Sequence, residues 1–207
     1  MTPAEEERLR FYAALGLCIA QWSHVEDALA SVFSEAMSGR SLIVTWGAFY
    51  AIQSPETKID ATNAAVAMRL HNGALLNAWQ RLFNHAHRKR KRRNNIAHFQ
   101  VLIYPKEPEG RRYILRPMLL DPNNVLRYPD RPPPKLYCND LEVIAATFST
   151  LSTEITIFAY LLGRHLGQRE LDQALEDHPH RARVCPIDQT PKALPFQHGL
   201  LGEKFQL

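Results

Sequence analysis

The first forty residues carry an unbroken helical pattern, and its length is the feature that most constrains the fold. Thr2, Pro3 and Glu5 predict a helix start, because Thr-x-x-Glu forms a capping box and proline suits the first helical position. Gly39 is the expected stop. The residues that recur at steps of three and four are Leu9, Tyr12, Ala13, Leu15, Ile19, Trp22, Val25, Glu26, Leu29, Val32, Phe33 and Ala36. A helix of about 33 residues is unusually long, and it predicts a bundle of long antiparallel helices.

Three further helices are predicted before the pattern changes at residue 99. The apolar segment 41–52 favours a short helix. Ser54-Pro55-Glu56 is a second start signal, and it opens a helix to about Leu70. After a turn at Asn72-Gly73, a fourth helix runs from about Ala74 to His98.

The next segment predicts a β-hairpin. Residues 99–104 are strand-like, 105–110 are typical of a turn, and 112–116 alternate between polar and apolar side chains. We expect residues 117–134 to form a loop. The predicted fold is therefore mainly all-α, an up-and-down bundle of four to five helices with a small β-hairpin inserted after the fourth.

The last helix is expected to begin with a cap at Asn139 or Asp140 and to run from Leu141 to about Leu166, with a short extension to Leu175. Residues 177–207 contain four prolines and no clear periodicity, so they are predicted to be a mostly irregular tail. The predicted organisation is one helical bundle over 1–176, with the hairpin and loop at about 99–138, followed by that tail.

Composition and charge favour an intracellular protein. The chain is 45% hydrophobic and 22% charged, which is ordinary for a globular domain. Its three cysteines are odd in number and widely spaced, so reduced thiols are the simplest interpretation. The acidic start, Met1 to Glu7, is unlike a signal peptide, and we expect no apolar stretch to approach the ~18 residues of a membrane span. We therefore expect a cytoplasmic protein that does not interact with a membrane.

The net charge is only +4, but basic residues are concentrated in the run Arg88, Lys89, Arg90, Lys91, Arg92 and Arg93. So dense a positive charge attracts polyanions such as RNA, and contacts of this kind position phosphates without reading sequence. A solvated helix face is the structural alternative, and such runs also resemble nuclear-localisation patches.

The run leads directly into Arg93-Asn94-Asn95-Ile96-Ala97-His98. Four residues separate Arg93 from His98, a polar Asn94 follows the arginine, and the motif ends a long helix. In these respects the chain resembles the HEPN superfamily, helical bundles whose hallmark is Arg, four to six residues, then His. Trp22 and Glu26, in the form Trp-x-x-x-Glu, are similar to a branch of that family. The resemblance covers roughly residues 8–166.

The resemblance implies metal-independent RNA cleavage, in which a ribose 2′-hydroxyl attacks the neighbouring phosphorus and expels the 5′-oxygen. Histidine suits the proton transfer because it titrates near neutral pH, which makes His98 the candidate acid or base. Arg93 can grip two phosphate oxygens at once, and Asn94 can orient the imidazole or hold an oxygen. On an ideal helix Arg93 and His98 lie about 140° apart. In the family, two bundles commonly dimerise and bring both motifs to one cleft.

These residues also have structural interpretations. Arginine and histidine near a helix C-terminus are favoured by the helix dipole and by free carbonyls. Glu26 is a half-buried carboxylate at a helix interface on one interpretation, and a partner of Arg93 or His98 on the other. His24, Lys58 and Asn63 are compatible with the same cleft, and the tryptophans are expected in the core.

Other chemistry has little support in the sequence. His85 and His87 lack a metal-pair spacing, so they are expected to be surface or RNA-proximal residues, and no metal or cofactor is predicted. The chain has no glycine-rich phosphate loop, no Gly-x-Ser-x-Gly elbow and no Cys-x-x-Cys. The leading hypothesis is a homodimeric HEPN-type endoribonuclease with a composite active site, acting as a toxin or defence effector that an antitoxin or inhibitor protein restrains. The alternatives are a non-catalytic module that binds a nucleotide, RNA or protein, and a structural dimerisation domain.

Overall fold

The computed structural model describes residues 1–37, 41–106, 110–117 and 135–177, and most of these residues are helical. The elements, numbered along the chain, are α1 Pro3–Ala36, α2 Leu42–Ala51, α3 Pro55–Arg69, α4 Ala74–His98, β1 Gln100–Lys106, β2 Gly110–Arg116 and α5 Cys138–Asp177. The predicted mainly helical fold, with a small hairpin after the fourth helix, is confirmed. The expected stop at Gly39, residues 118–134 of the predicted loop and residues 178–207 of the predicted tail lie outside the described residues.

The chain divides into two units, Met1–Gln168 and Arg169–Leu207. All the tertiary contacts discussed below lie within the first unit. Of the second unit the structure describes residues 169–177, which are the last turns of α5.

The helix starts follow from their first residues. The Thr2 backbone N–H donates to Glu5 Oε2 at 2.7 Å, and Thr2 Oγ1 accepts from the Glu5 backbone N–H at 3.3 Å, which is the predicted capping box. Ser54 Oγ caps α3 by accepting from the Thr57 backbone N–H at 3.4 Å. Gly73 precedes α4 with a φ of +99°, a conformation that favours glycine.

Successive helices alternate in direction, as expected of an up-and-down bundle. α1 and α5 begin at the same end, because Cys18 hydrogen-bonds to the Leu141 carbonyl and Trp22 packs edge-on against Phe148. Three further helix pairs are antiparallel, because residue numbers rise along one helix as they fall along the other. α1 and α2 are joined by Ser34–Thr45 and Asp27–Tyr50, and α3 and α4 by Glu56–Arg90 and Asn63–Trp79. α4 and α5 are joined by Trp79–Phe158 and His85–Glu154. The end of α4 therefore lies beside the start of α5.

The predicted inward face of α1 is wrong in its first half. Leu9, Tyr12 and Ile19 are exposed, at 55%, 48% and 43% of their surface. The buried stripe instead runs through Phe11 and Cys18 and then joins the predicted positions from Trp22 onward. Residues 11–23 carry no charge, so the sequence there offers no polar face from which to set the phase of the helix.

The hairpin closes one end of the bundle. β1 and β2 pair antiparallel, from Gln100 opposite Arg116 to Lys106 opposite Gly110. Tyr113 and Leu115 are buried, and the Tyr113 ring lies 5.9 Å from that of Phe11 on α1. Leu136 exchanges two backbone hydrogen bonds with Leu115, both at 2.9 Å. This bridge ties the segment before α5 to the hairpin.

α5 begins earlier and runs longer than predicted. It starts at Cys138 because Asp140 lies in the first turn, where its Oδ2 accepts from the Tyr137 backbone N–H at 2.9 Å, instead of capping the helix from outside. It then continues through Gly167 to Asp177 as one helix.

α5 is also more apolar than the sequence analysis allowed. By length and composition alone, its part from Cys138 to Arg169 could cross a membrane, contrary to the expectation that no stretch comes close. Phe148, Leu151 and Ile155 belong to the buried core of the bundle, and this accounts for part of that apolar character.

The buried Cys18 gives the stability of the fold a pH dependence. Burial raises the pKa of its thiol to about 11 from an ordinary value of 9.0, and its Sγ donates to the Leu141 carbonyl at 3.0 Å. The folded state holds this proton more tightly than the unfolded chain, so the contribution is full below pH 9.0 and is lost as the pH rises through about 11. Relative to Cys18→Ser, we expect the free energy of unfolding to fall by about 2 kcal/mol between about pH 8.5 and 10.5. Urea unfolding of both proteins measures this, and parallel pH profiles would contradict it.

Candidate nucleic-acid interface and active site

The last three turns of α4 carry the motif and the basic run. Trp79, Ala86 and Ile96 are the buried residues of this helix. Arg93 lies seven residues after Ala86 and three before Ile96, so it continues the core-facing side of α4. Its side chain is half-buried, at the end of the bundle where the core gives way to solvent.

Arg93 lacks an acidic partner in the part of the chain that the structure describes. Its Nη1 donates to Asn94 Oδ1 at 3.4 Å, a long and weak hydrogen bond. Other basic side chains are neutralised by acids, for example Arg10 by Glu142 at 3.0 Å. A guanidinium has five N–H donors, so most donors of Arg93 remain available to a bound anion.

His98 is the last residue of α4 and is exposed. The Phe99 backbone N–H donates to the Asn95 carbonyl at 2.9 Å and closes the helix just beyond it. No hydrogen bond or ion pair to another described residue holds the ring, so it is free to meet a ligand.

The structure brings the predicted residues together only in part. Arg93 contacts Asn94, and Asn94 lies four residues before His98, on the same side of α4. Among the described residues no hydrogen bond joins Arg93 to His98. Both residues lie within α4, and on a regular helix their five-residue step corresponds to about 140°.

The side chains of the basic run point in different directions around α4, so some are used within the bundle and others are exposed. Arg90 forms an ion pair with Glu56 of α3, and only 14% of its side chain is exposed, so its charge is used within the bundle. Burial, and then the neighbouring Arg92 and Arg88, lower the pKa of the half-buried Lys89. Arg88, Lys91 and Arg92 are exposed and have no acidic partner in the described part of the chain.

Arg81 is a further basic residue of this surface, and the sequence analysis missed it. It is exposed, and it lies seven residues before Arg88 and eleven before Arg92, on the same side of α4. The three arginines therefore form a stripe roughly 16 Å long by the helical rise per residue. The signal in the sequence is the seven-residue spacing from Arg81 to Arg88, which places both on one side of a helix. Arg81 lies outside the contiguous basic run, so the run alone does not indicate it.

The two histidines before the run connect α4 to its neighbours. His87 Nε2 lies 2.9 Å from Asp60 Oδ1 of α3, and its ring packs against Phe83. His85 Nδ1 lies 3.9 Å from Glu154 Oε2 of α5. Burial, followed by repulsion from Lys89, lowers the pKa of His85. These contacts tie both histidines to neighbouring helices, with 33% of the His85 side chain and 26% of the His87 side chain exposed.

Glu26 belongs to a buried polar cluster of its own. Its Oε1 accepts from Trp22 Nε1 at 2.7 Å, and its Oε2 forms an ion pair with Lys58, which is itself buried. The Lys58 ammonium also lies 5.5 Å from the Phe49 ring centroid and 5.1 Å from that of Tyr50. Glu26 is therefore a half-buried carboxylate at a helix interface, and the interpretation that paired it with Arg93 or His98 is wrong.

The remaining cleft candidates also have partners elsewhere or lie apart. Asn63 Oδ1 accepts from Trp79 Nε1 at 2.9 Å, which ties α3 to α4. Trp22 and Trp79 are core residues, as predicted. His24 lines a shallow groove between α1 and α5, with Asp27 and Thr153 among its other residues.

A groove of about 340 Å³ adjoins the motif, between the end of α4 and the start of α5. Its lining combines one cation, one amide and one carboxylate with apolar side chains: Arg92, Asn95, Phe99, Leu136, Asp140, Val143 and Ile144. Arg92 and Asn95 lie three residues apart on one side of α4, and Phe99 directly follows the end of that helix. A second groove of about 540 Å³ shares Asp140 and opens toward α1 and β2.

The described residues contain no group of three or more histidine, cysteine or acidic side chains that could hold a metal ion. No family model matches this chain, and comparison with curated proteins and with solved structures finds no significant match. The candidate site is therefore defined by the geometry of this chain and by the resemblance of its α4 motif to the HEPN pattern.

Proposed function

We propose that this chain is a metal-independent endoribonuclease of the HEPN type, with Arg93, Asn94 and His98 at its centre. One observation carries the proposal more than any other. Arg93 is half-buried at the end of α4 without an acid among the described residues, next to exposed cations that also lack one. A partly desolvated guanidinium without a counter-ion is costly, and a bound phosphate would offset that cost.

The reaction needs one proton removed and one supplied. The ribose 2′-oxygen loses its proton and bonds to phosphorus, the bond from phosphorus to the 5′-oxygen breaks, and that oxygen gains a proton. The products are a 2′,3′-cyclic phosphate and a 5′-hydroxyl. His98 carries out proton transfer, Arg93 binds the anionic phosphorane, and Asn94 supports one or both.

A homodimer would complete the site. Arg93 and His98 point to different sides of α4, so one chain presents them apart. Two copies of the motif facing one cleft would supply an arginine and a histidine from different sides of the phosphate, as the resemblance implies. A nuclease of this kind is harmful to its own cell, which supports a toxin or defence role in the cytoplasm with an antitoxin or inhibitor protein as partner.

The RNA backbone would lie along the exposed side of α4. Arg88, Lys91 and Arg92 are the anchors from the basic run, and Arg81 extends them along the helix. Lys89 contributes less because it is half-buried, and Arg90 contributes through its ion pair with Glu56, which holds the helix against α3. Such contacts would make binding strongly dependent on salt.

The second candidate function is a non-catalytic HEPN-like module that binds RNA, a nucleotide or a protein. The observation in its favour is that Arg93 and His98 make no described contact with each other. This module would keep the salt-dependent RNA binding of α4 but would produce no cleaved ends.

The histidine variant tests the proposal. We expect His98→Ala to lower the rate of RNA cleavage by at least about 10²-fold, the usual size of a general acid or base contribution, with its melting temperature unchanged because the side chain is exposed. His71→Ala is the matched control, since His71 is also exposed but precedes the other end of α4. Equal cleavage by wild type and His98→Ala would sink the assignment.

A further inference from the structure

We propose that the groove between α4 and α5 binds one unpaired nucleobase of the RNA, and that it prefers bases with an amino group over uracil. This inference rests on the proposed function and deepens it by naming a specificity site. The groove starts at Arg92, the residue directly before Arg93. A phosphate held by Arg93 would therefore place an adjoining nucleotide at the mouth of the groove.

The size and the apolar surfaces of the groove suit a single base. About 340 Å³ is near the lower end of small-molecule sites and has room for one planar ring system. Phe99 supplies an aromatic ring, and Leu136 and the buried Ile144 supply aliphatic contact. Unpaired bases in protein–RNA complexes are commonly held by stacking on such side chains.

The polar groups are placed to read the edge of that base. Asp140 lines the groove and is held in position, because its Oδ2 accepts from the Tyr137 backbone N–H at 2.9 Å; no described hydrogen bond uses its Oδ1. No described residue hydrogen-bonds to the Asn95 side chain, so its amide can both donate and accept. No described ion pair joins Arg92 to Asp140 across the groove, which leaves it open.

The carboxylate sets the preference. An ionised aspartate can only accept hydrogen bonds, so it needs N–H groups on the base. Guanine, adenine and cytosine each present an amino group, whereas uracil presents carbonyl oxygens on either side of a single N–H. A carbonyl facing Asp140 would be repelled, and uracil would leave the carboxylate poorly satisfied.

The test uses short oligouridylates in which one internal position is guanosine, adenosine, cytidine or uridine. We expect wild type to favour an amino-bearing base over uridine by about tenfold or more in kcat/KM, the size of a good hydrogen-bond contribution to base readout. Asp140→Asn should reduce that ratio to within about threefold, because the asparagine amide can also donate to the uracil carbonyls. Asparagine can still accept from Tyr137, so the fold is preserved, and thermal melting checks this.

Glu154→Gln is the matched control, because it removes one negative charge from α5 outside the groove. It should keep the wild-type preference. If wild type cuts all four strands equally, or if Asp140→Asn keeps the full preference, the base pocket is overturned while the ribonuclease proposal stands. If wild type binds RNA without cutting, dissociation constants for the same strands replace rates and ribonuclease activity alone is overturned. Absence of both binding and cleavage overturns both proposals.

Discussion

Arg93→Ala is expected to lower the single-turnover rate of RNA cleavage by about 10²–10³-fold, the usual loss when a donor to a transition-state anion is removed. The half-buried guanidinium continues the core-facing side of α4, and within the described part of the chain its one hydrogen bond goes to Asn94. Bound RNA would use its N–H donors most fully when charge builds up on the phosphorane. The loss should therefore appear in the rate at saturating RNA more than in affinity.

Arg93→Lys separates charge from geometry. Lysine keeps the positive charge but cannot hold two phosphate oxygens in a fixed fork, so we expect an intermediate rate, still at least about tenfold below wild type. Arg164→Ala is the control for loss of an arginine, because Arg164 is exposed on α5 and contacts Tyr160. Full activity of Arg93→Ala at saturating RNA would remove Arg93 from the reaction and leave it, at most, a binding residue.

Lys58→Met is expected to cost about 3–5 kcal/mol of folding stability, the range for breaking a buried ion pair by removing one partner. Both side chains are mostly buried, with 9% of Lys58 and 16% of Glu26 exposed. The variant leaves the Glu26 carboxylate without its counter-charge; among the described residues, the Trp22 N–H is its remaining hydrogen-bond partner. Urea unfolding with a fixed m-value measures the loss.

The double variant Glu26→Gln, Lys58→Met tests the physical reason. A glutamine can still accept from Trp22 and carries no charge to desolvate, so the double variant should be more stable than Lys58→Met alone. If the stability loss of the double variant equals the sum of the losses of Glu26→Gln and Lys58→Met, the two charges are not coupled. Because no described hydrogen bond or ion pair joins Glu26 to the α4 motif, Glu26→Gln should leave the rate of RNA cleavage unchanged wherever the protein is folded.

Local signals in the sequence predicted most of the fold. The capping box at Thr2 and Glu5, and the Ser54-Pro55 start, each determine a helix end through neighbouring residues alone. The same reasoning failed for the first half of α1, where residues 11–23 are uncharged and many rotations of the helix look equally good. It also failed at the start of α5, where a backbone contact from Tyr137 to Asp140 shifts the boundary.

The candidate site was predictable only along α4 itself. The order of Arg88 to His98 in the sequence, with the helical period, places those residues relative to one another. Whether a cation is free depends on other helices: Glu56 neutralises Arg90, and nothing near Arg90 in the sequence indicates this. The groove could not be predicted from the sequence for the same reason: Asn95 and Asp140 both line it, but the hairpin and loop separate them along the chain.

The central claim is most directly tested by the chemistry of the cut ends. Purified protein is incubated with RNA in EDTA, with His98→Ala in parallel, and the product ends are assigned by phosphatase and kinase treatment or by mass spectrometry. We predict that wild type cuts without added metal and leaves 2′,3′-cyclic phosphate and 5′-hydroxyl ends, and that His98→Ala does not cut. Cleavage that stops in EDTA, 5′-phosphate ends, or RNA binding without any cleavage would contradict the account.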